Sequence, residues 1–276
     1  MNTLHKMTLA GLCLAAGSAW AEQPLWELGA GVAVVDFATY RGSDQYKSYV
    51  LPVPYFVYRG KVLQIDREKV RGLLFKSDRA ELDISVNGSV PVKSGDNPAR
   101  AGMPDLDPTL EIGPSLNLTL LKSADGNRQL DLRLPLRYAM ASDFSTVHGV
   151  GWLFQPNINL DVKNMSGLPG WKLGLLAGPI FADRRYHQYF YGVDPQYATA
   201  SRPAYRASGG YAGMQFIAAL SKRYRDYWVG GFVKLDDLHG AVFADSPLVR
   251  TKTNVSGGFA VSWIFAKSKV RVRDDD

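Results

Sequence analysis

Cysteine is almost absent from this sequence. The single cysteine, Cys13, lies in an apolar stretch near the N-terminus and follows Leu12. A lipid-modified cysteine would instead directly follow a small residue at a cleavage point, so we interpret Cys13 as an ordinary apolar residue. The chain beyond it therefore has neither a disulfide nor thiol chemistry.

Long hydrophobic runs are absent too. No segment after Ala21 approaches about 18 consecutive strongly apolar residues, which excludes a bundle of transmembrane helices. A membrane β-barrel is not excluded, because its strands are only half apolar.

Clustered basic charge is limited to one short stretch. The formal net charge of +6 is spread along the chain, and the dense basic run at 267–273 ends in three aspartates. Nucleic-acid-binding proteins normally carry a concentrated basic stripe. Nucleic acid is therefore not an expected partner.

The first residues have the order of a secretory signal peptide. Lys6 supplies positive charge, Met7 to Ala16 form a short apolar core, and Ala19-Trp20-Ala21 fits the cleavage pattern. We predict that residues 1–21 are cleaved and that the mature chain begins at Glu22. The alternative, a buried N-terminal helix of a cytosolic protein, is disfavoured because all three features occur in the right order.

Period-two alternation dominates the rest of the chain. Between Leu130 and Tyr138, for example, every second residue is apolar, and Asp131, Arg133, Pro135 and Arg137 fall between them. Such segments predict strands with one apolar and one polar face. Several are about 11 to 15 residues long, and aromatic residues lie near their ends. Soluble strands are usually about 5 or 6 residues long, so length favours a transmembrane barrel over a soluble sandwich.

We predict an all-β fold, a single antiparallel transmembrane β-barrel over residues 22–265. Turn signals divide it into about twelve strands, near 26–36, 47–58, 61–66, 70–77, 80–90, 107–121, 128–140, 148–162, 171–184, 207–221, 227–239 and 253–265. Short periplasmic turns then alternate with long extracellular loops, as barrels of the bacterial outer membrane require. Ten strands remain an alternative, because the short segments within 61–77 could form one strand.

The last strand carries an export signal. Val255, Phe259, Val261, Trp263 and Phe265 share one face. A final strand closing on an aromatic residue resembles the signal read by the barrel assembly machinery, which is an expected partner. The charged residues 266–276 follow it and are predicted to be a periplasmic tail.

The mature chain resembles the MipA/OmpV family, whose members include the MltA-interacting protein. The segments that carry the resemblance are residues 26–31, 52–55, Tyr189 to Val193, Arg202 to Tyr205, Gly209-Gly210, Asp245 to Val249 and 259–265. The resemblance implies an outer-membrane scaffold that links a lytic murein transglycosylase to a penicillin-binding murein synthase. It supplies no catalytic residues.

Candidate chemistry is sparse. The mature chain has three histidines, His148, His187 and His239, all expected at the extracellular rim, together with Asp183, Asp194, Asp236, Asp237 and Asp245. A histidine there could serve as a general base. No spacing resembles a metal site or a nucleophile motif. We therefore expect no catalytic, cofactor-binding or metal-binding residues, no cofactor and no enzymatic activity, with a hydrolase at the rim as an alternative.

Two features of the loops and lumen stay open. The aromatic segment Tyr186 to Tyr191 has two interpretations: a loop that plugs the lumen or binds a partner, or an aromatic strand end at the membrane interface. The neighbouring pair Arg184-Arg185 could contact lipopolysaccharide phosphates, or be a solvated charge pair at the strand end. The charged inward residues either line a channel for small solutes or fill a closed barrel; they are Asp83, Glu111, Asp131, Arg133, Arg137, Asp161 and Lys234.

We predict a non-enzymatic scaffold in the outer membrane of a Gram-negative bacterium. It is expected to contact outer-membrane lipids and lipopolysaccharide, and to recruit periplasmic murein-remodelling enzymes. A channel for small solutes is the alternative.

Overall fold

A computed structural model describes residues 23–60, 63–65, 70–72, 75–143 and 145–272. The predicted signal peptide and the last residues of the predicted tail, 273–276, lie outside this range. The barrel strands are β2 (Trp26–Ala38), β3 (Tyr46–Arg59), β4 (Leu63–Ile65), β5 (Val70–Gly72), β6 (Phe75–Lys76), β7 (Ala80–Ser89), β8 (Thr109–Lys122), β9 (Arg128–Ser142), β10 (Val147–Phe154), β11 (Asn157–Met165), β12 (Leu168–Ala182), β13 (Gly210–Arg223), β14 (Tyr227–Asp237) and β15 (Thr253–Lys267). Two short strands, β1 (Gln23–Pro24) and β16 (Arg271–Val272), form a separate ladder.

The strands form an antiparallel barrel of twelve strands, as predicted. β10 and β11 both pair with β9 and β12, so they are two parts of one strand, interrupted where Pro156 lacks a backbone N–H to donate. β5 and β6 occupy the predicted strand 70–77. β4 pairs with both β3 and β5, which excludes a single strand over 61–77.

The sheet curls so that its ends meet. The first long strand, β2, pairs with the last, β15, over residues 27–36 and 257–267. In the order of pairing, the sheet ends at β5 on one side and at the β6–β7 pair on the other, and Cα atoms of β5 lie within 8 Å of β7. The curved sheet therefore encloses a lumen.

The two faces of the sheet differ as the alternation predicted. On β9, Asp131, Arg137 and Ala139 are buried inside, whereas Leu136 is exposed on the outer face. On β15 the residues from Val255 to Phe265 that share the predicted apolar face are exposed, and the residues between them, such as Ser262, are buried. An exposed apolar outer wall is stable only against lipid.

The two ends of the barrel differ in the length of their connections. One end has short turns at 77–79, 123–127, 166–167 and 224–226. The other has the long connections 39–45, 90–108, 183–209 and 238–252, and one short connection at 143–146. Within the described residues, no helix is both long and apolar enough to cross a membrane.

The chain termini meet at the short-turn end. β15 continues to Lys267, two residues past the predicted barrel boundary, and β1 pairs with β16 through Gln23 with Val272 and Pro24 with Arg271. The backbone N–H of Leu25 also donates to Val270 O at 2.9 Å. We call the paired segments 23–25 and 268–272 the terminal clasp. Much of the predicted tail is therefore ordered on the rim.

Candidate functional site

The four long connections pack together over one mouth of the barrel, and we call them the cap. Arg100, which is 3% exposed, donates from Nη1 to Phe190 O at 3.2 Å, joining the second loop to the third. Tyr191 donates from its hydroxyl to Arg41 O at 3.0 Å, and Ser246 Oγ donates to Tyr191 O at 2.7 Å. The loops are thus bonded to one another, in addition to the hydrogen bonds within each loop.

Tyr40 ties the first loop to the fourth. Its hydroxyl donates to Leu248 O at 2.8 Å, deep in the cap. Burial raises the pKa of Tyr40 to about 12, because the phenolate is poorly solvated there. The hydroxyl therefore keeps its proton and remains a donor at physiological pH.

A short helix, α1 (Arg184–Tyr191), forms the centre of the cap. Asp183 is its N-cap: its Oδ1 accepts from the backbone N–H of Tyr186 at 2.8 Å. The other oxygen of Asp183 accepts from the backbone N–H of Trp152 at 3.0 Å, which fixes the helix start to β10. Gly151 makes this approach possible, since a Cβ there would meet both Asp183 and the Tyr186 backbone. Its φ of +140° also favours glycine.

Aromatic rings fill the cap interior. The Tyr191 and Phe243 rings are stacked with centroids 3.6 Å apart and planes 8° apart. His187 meets Phe243 edge-on at 4.7 Å. Phe243, Leu238 and Leu248 are fully buried, so the cap has a core of its own.

His187 is enclosed within this core and is fully buried. Its Nδ1–H donates to Ser208 O at 2.6 Å, which defines the tautomer because a carbonyl only accepts. Its Nε2 has no hydrogen-bond partner among the described residues. Burial lowers the pKa of His187, and the charge of Arg41 lowers it further. The ring is therefore neutral at physiological pH and stabilises the cap structurally.

A belt of polar side chains follows the inner wall of the barrel beneath the cap. Arg137 donates to Glu111 Oε2 at 3.0 Å from Nε and to Gln155 Oε1 at 2.6 Å from Nη2. Gln155 donates to Gln215 Oε1 at 2.8 Å, and Gln215 donates to Asp236 Oδ1 at 3.1 Å. The belt thus runs across strands β8, β9, β13 and β14 and the β10–β11 junction.

The cap is bonded to both ends of this belt. The Tyr186 hydroxyl of α1 donates to Glu111 Oε1 at 3.3 Å, and Arg41 Nε donates to Asp236 Oδ1 at 2.9 Å. Lys234 adds a second cation on Asp236, at 3.1 Å. Charged groups along this part of the wall are therefore paired, and the loops above them are bonded to the wall.

A second charged cluster lies at the opposite end of the lumen. Glu27, which is 3% exposed, accepts from Arg59 at 3.1 Å and from Arg223 at 2.9 Å. Arg59 also donates from Nη1 to Pro24 O at 2.7 Å, bonding the terminal clasp to the barrel wall. This end is therefore ordered around one buried carboxylate.

The sequence-predicted residues fall into several environments. All seven inward charges line the lumen as predicted, on β7, β8, β9, β11 and β14. Tyr186 to Tyr191 lie in α1 over the lumen rather than at a strand end, and β12 ends at Ala182 instead of 184. Arg184 and Arg185 are exposed.

The three histidines are not brought together. His148 lies on β10 against the ring of Tyr189, His187 is buried in the cap, and His239 pairs with Asp237 on the exposed rim. Asp194 and Asp245 are exposed in the loops. Across the described residues no group of three His, Cys, Asp or Glu side chains could hold a metal ion.

Sequence reasoning missed the loop residues that hold the cap, above all Arg41 and Arg100. It also missed Gln155 and Gln215, whose role in the belt depends on neighbours on other strands. Glu27 was visible only as one polar residue within the first strand.

An apolar groove of about 500 Å³ indents the outer wall. Its lining comes from β9, β11, β12, β13 and β14 and includes Leu160, Leu175, Phe216 and Val233. The side chains named here are apolar and lie on the lipid-facing side, so the groove fits lipid acyl chains rather than a reacting substrate.

Comparison with protein families decides what kind of barrel this is. The family model described as MltA-interacting protein MipA matches residues 28–265. The chain belongs to the MipA family. Family membership and the apolar outer wall together place the protein in the outer membrane. No curated protein sequence matches the chain.

Solved structures that resemble this MipA-family chain are outer-membrane proteins of low sequence identity. A bacterial polysaccharide outer-membrane secretin has a TM-score of 0.44 at 8% identity, covering 87% of this chain and 99% of its own. The NanC porin has a TM-score of 0.40 at 10% identity, covering 86% and 98%. Outer membrane phospholipase A from Escherichia coli has a TM-score of 0.34 at 10% identity, covering 91% and 94%. All these TM-scores lie below 0.5, so the similarities carry no argument about function.

Proposed function

We propose that this protein is a non-enzymatic outer-membrane scaffold that recruits murein-remodelling enzymes from the periplasm. The observation that carries the proposal is the contrast between the two ends of the barrel. The cap covers the extracellular mouth and is bonded to the belt through Arg41 and Tyr186. The periplasmic end instead presents short turns and an ordered terminal clasp.

Both features suit a platform better than a pore. A belt of paired charges below an aromatic core leaves few unpaired groups to conduct a solute through the upper lumen. Arg59 bonds Pro24 of the clasp to Glu27 of the wall, so the periplasmic surface has a defined shape before any partner arrives. Preorganised surfaces bind with a smaller entropic cost.

The family description supplies the class of partner. It names an interaction with MltA, a lytic transglycosylase. We extend this to the present chain and include a penicillin-binding murein synthase as the second partner. The periplasmic turns and the terminal clasp are the proposed contact surface.

Binding of purified enzymes tests the proposal. The mature protein in detergent micelles is immobilised, and binding of a lytic murein transglycosylase and of a penicillin-binding murein synthase is measured by interferometry. An unrelated outer-membrane barrel is the control. Binding of neither enzyme above that control contradicts recruitment. Replacing 268–272 by a Gly/Ser segment is expected to weaken binding, and unchanged binding would move the contact away from the clasp.

A channel is the second candidate, favoured by the polar lumen alone. Conductance of the wild-type protein in a planar bilayer separates the two functions. A closed barrel gives no steps, whereas stable single-channel steps from the wild type would favour the channel.

A further inference from the structure

The basic charge that is scattered along the sequence collects at one end of the folded barrel. Arg79, Lys122, Arg128, Arg225 and Lys269 are all exposed and lie on the periplasmic connections or at the strand ends beside them. We call these five residues the basic collar. The described side chains include no salt-bridge partner for any of them. Within the described residues, the collar is therefore a set of cations without acidic partners.

The acidic residues at the same end neutralise only part of this charge. Glu27 is shared by Arg59 and Arg223, and Asp226 pairs with Lys267 at 2.7 Å. Asp125 is held within its own turn by Ser123 and Asn127. Asp78 and Glu81 lie at the β6–β7 turn and the start of β7. The three aspartates at 274–276 lie outside the described residues.

The extracellular end has a different balance. Its loops mix both signs, and some of these charges pair with each other, as Arg250 does with Asp44 and Lys47 with Asp96. The barrel is therefore electrostatically polarised along its axis, with the positive end facing the periplasm.

The placement of the collar indicates the shape of its partner. Its members lie on the β6–β7, β8–β9, β13–β14 and β15–β16 connections, which are separated around the barrel in the order of the strands. A compact ligand would contact one side of such a ring. A layer that runs parallel to the membrane can contact all sides at once.

Arg225 and Lys269 lie in connections beyond the strand ends rather than on the lipid-facing wall. Lipid headgroups of the inner leaflet surround the wall, so they reach such positions less well than a layer beneath the membrane. The outer membrane has a carboxylate-bearing polymer beneath it, because the peptide stems of murein end in free carboxylates. The collar cations and the murein carboxylates would attract each other through water, and this attraction weakens as the salt concentration rises.

We propose that the basic collar binds the carboxylates of murein peptide stems directly, holding the periplasmic end of the barrel against the polymer. This binding goes beyond recruitment of an enzyme and does not require one. It places any recruited enzyme next to its polymeric substrate.

Co-sedimentation with purified, protein-free murein sacculi tests the proposal. The mature protein in neutral detergent is expected to sediment with sacculi at low ionic strength and to be released by salt. The variant Arg128→Glu/Arg225→Glu/Lys269→Glu is expected to bind roughly tenfold more weakly, since several exposed charge pairs are reversed together. The matched control Arg184→Glu/Arg185→Glu/Lys252→Glu makes the same change of charge at the extracellular end and is expected to bind like the wild type. Heat-modifiable gel migration verifies that both variants are folded.

Four outcomes overturn the proposal. The first is that the wild type does not sediment even at low salt. The second is that both triple variants lose binding equally, so that net charge alone matters. The third is that sacculi whose carboxylates have been converted to neutral amides bind the protein as well as untreated sacculi do. The fourth is that the collar variant keeps sacculus binding but loses stabilisation by anionic lipid in nanodiscs, which would make lipid headgroups the partner. Because the sacculi contain no enzyme, failure here leaves enzyme recruitment separately testable.

Discussion

Arg41 and Asp236 are 195 residues apart in sequence and form a hydrogen-bonded ion pair of 2.9 Å between the first long loop and strand β14. Asp236 is 1% exposed and also binds Lys234 and Gln215. One buried carboxylate therefore holds a loop cation, a wall cation and the polar belt. The stability of the cap depends on a lumen residue rather than on the loops alone.

Replacing Asp236 by Asn is expected to loosen the cap. Arg41 and Lys234 would share the lumen without a counter-charge, and removing one partner of a buried ion pair costs roughly 3–5 kcal/mol. Limited proteolysis within 39–45 and conductance in a planar bilayer measure the effect. The neighbouring Asp237→Asn, on the exposed rim, is the control. Equal protease resistance of the two variants would show that Asp236 does not hold the loop.

Replacing Gly151 by Ala is expected to displace α1. The added Cβ would meet the Asp183 carboxylate and the Tyr186 backbone, and φ would remain strained for alanine. Loss of the N-cap contributes about 1 kcal/mol of this cost. Faster proteolysis within 183–209 measures the displacement, with Gly95→Ala as the control because nothing lies within 4 Å of a Cβ there. Identical digestion patterns for the two variants would contradict a tight approach of α1 to β10.

The cap is expected to lose stability in mild acid because of His187. Its pKa is lowered in the fold from 6.5, so the folded protein binds fewer protons than the unfolded chain. Its contribution is fully present above about pH 6.5 and is lost as pH falls towards the folded pKa. The midpoint of heat-modifiable gel migration, followed from about pH 8 to 5, measures this. His187→Asn retains a donor for Ser208 O without a titrating ring and should flatten the profile, whereas His239→Gln should not.

Replacing Glu27 by Gln is expected to loosen the periplasmic end. Arg59 and Arg223 would lose their shared carboxylate, and Arg59 would hold the Pro24 carbonyl less firmly. Faster hydrogen exchange at the terminal clasp, with unchanged exchange in the cap, is the expected readout. Exchange that rises equally at both ends would indicate global destabilisation instead.

The barrel was predictable because its signal is local. Every second residue of a long strand faces lipid, so alternation identified the long strands and the inward charges, from Asp83 to Lys234, and turn signals between them gave the count of about twelve. Strand limits were less accurate: the break at Gln155-Pro156 and the end of β12 at Ala182 depend on pairing and on the loop that follows.

The cap was not predictable because its contacts join distant loops. Arg41, Arg100 and Phe243 have no periodic neighbours, and nothing in their local sequence indicates that Asp236, Phe190 or Tyr191 will lie beside them. The aromatic segment 186–191 could be recognised as unusual. Its helix, however, depends on Asp183 and on the space that Gly151 leaves.

The pairing of β2 with β15, reinforced by the terminal clasp, also determines when the barrel can form. In the β2–β15 ladder Glu27 lies opposite Lys267, so this seam can form only after both segments, which are far apart in sequence, have been exported. Until then the edge of β2 that faces away from β3 is unpaired and could pair with other chains. Closure of the barrel is therefore a late folding step, because it joins two segments far apart in sequence, and an unfinished chain cannot reach the native topology.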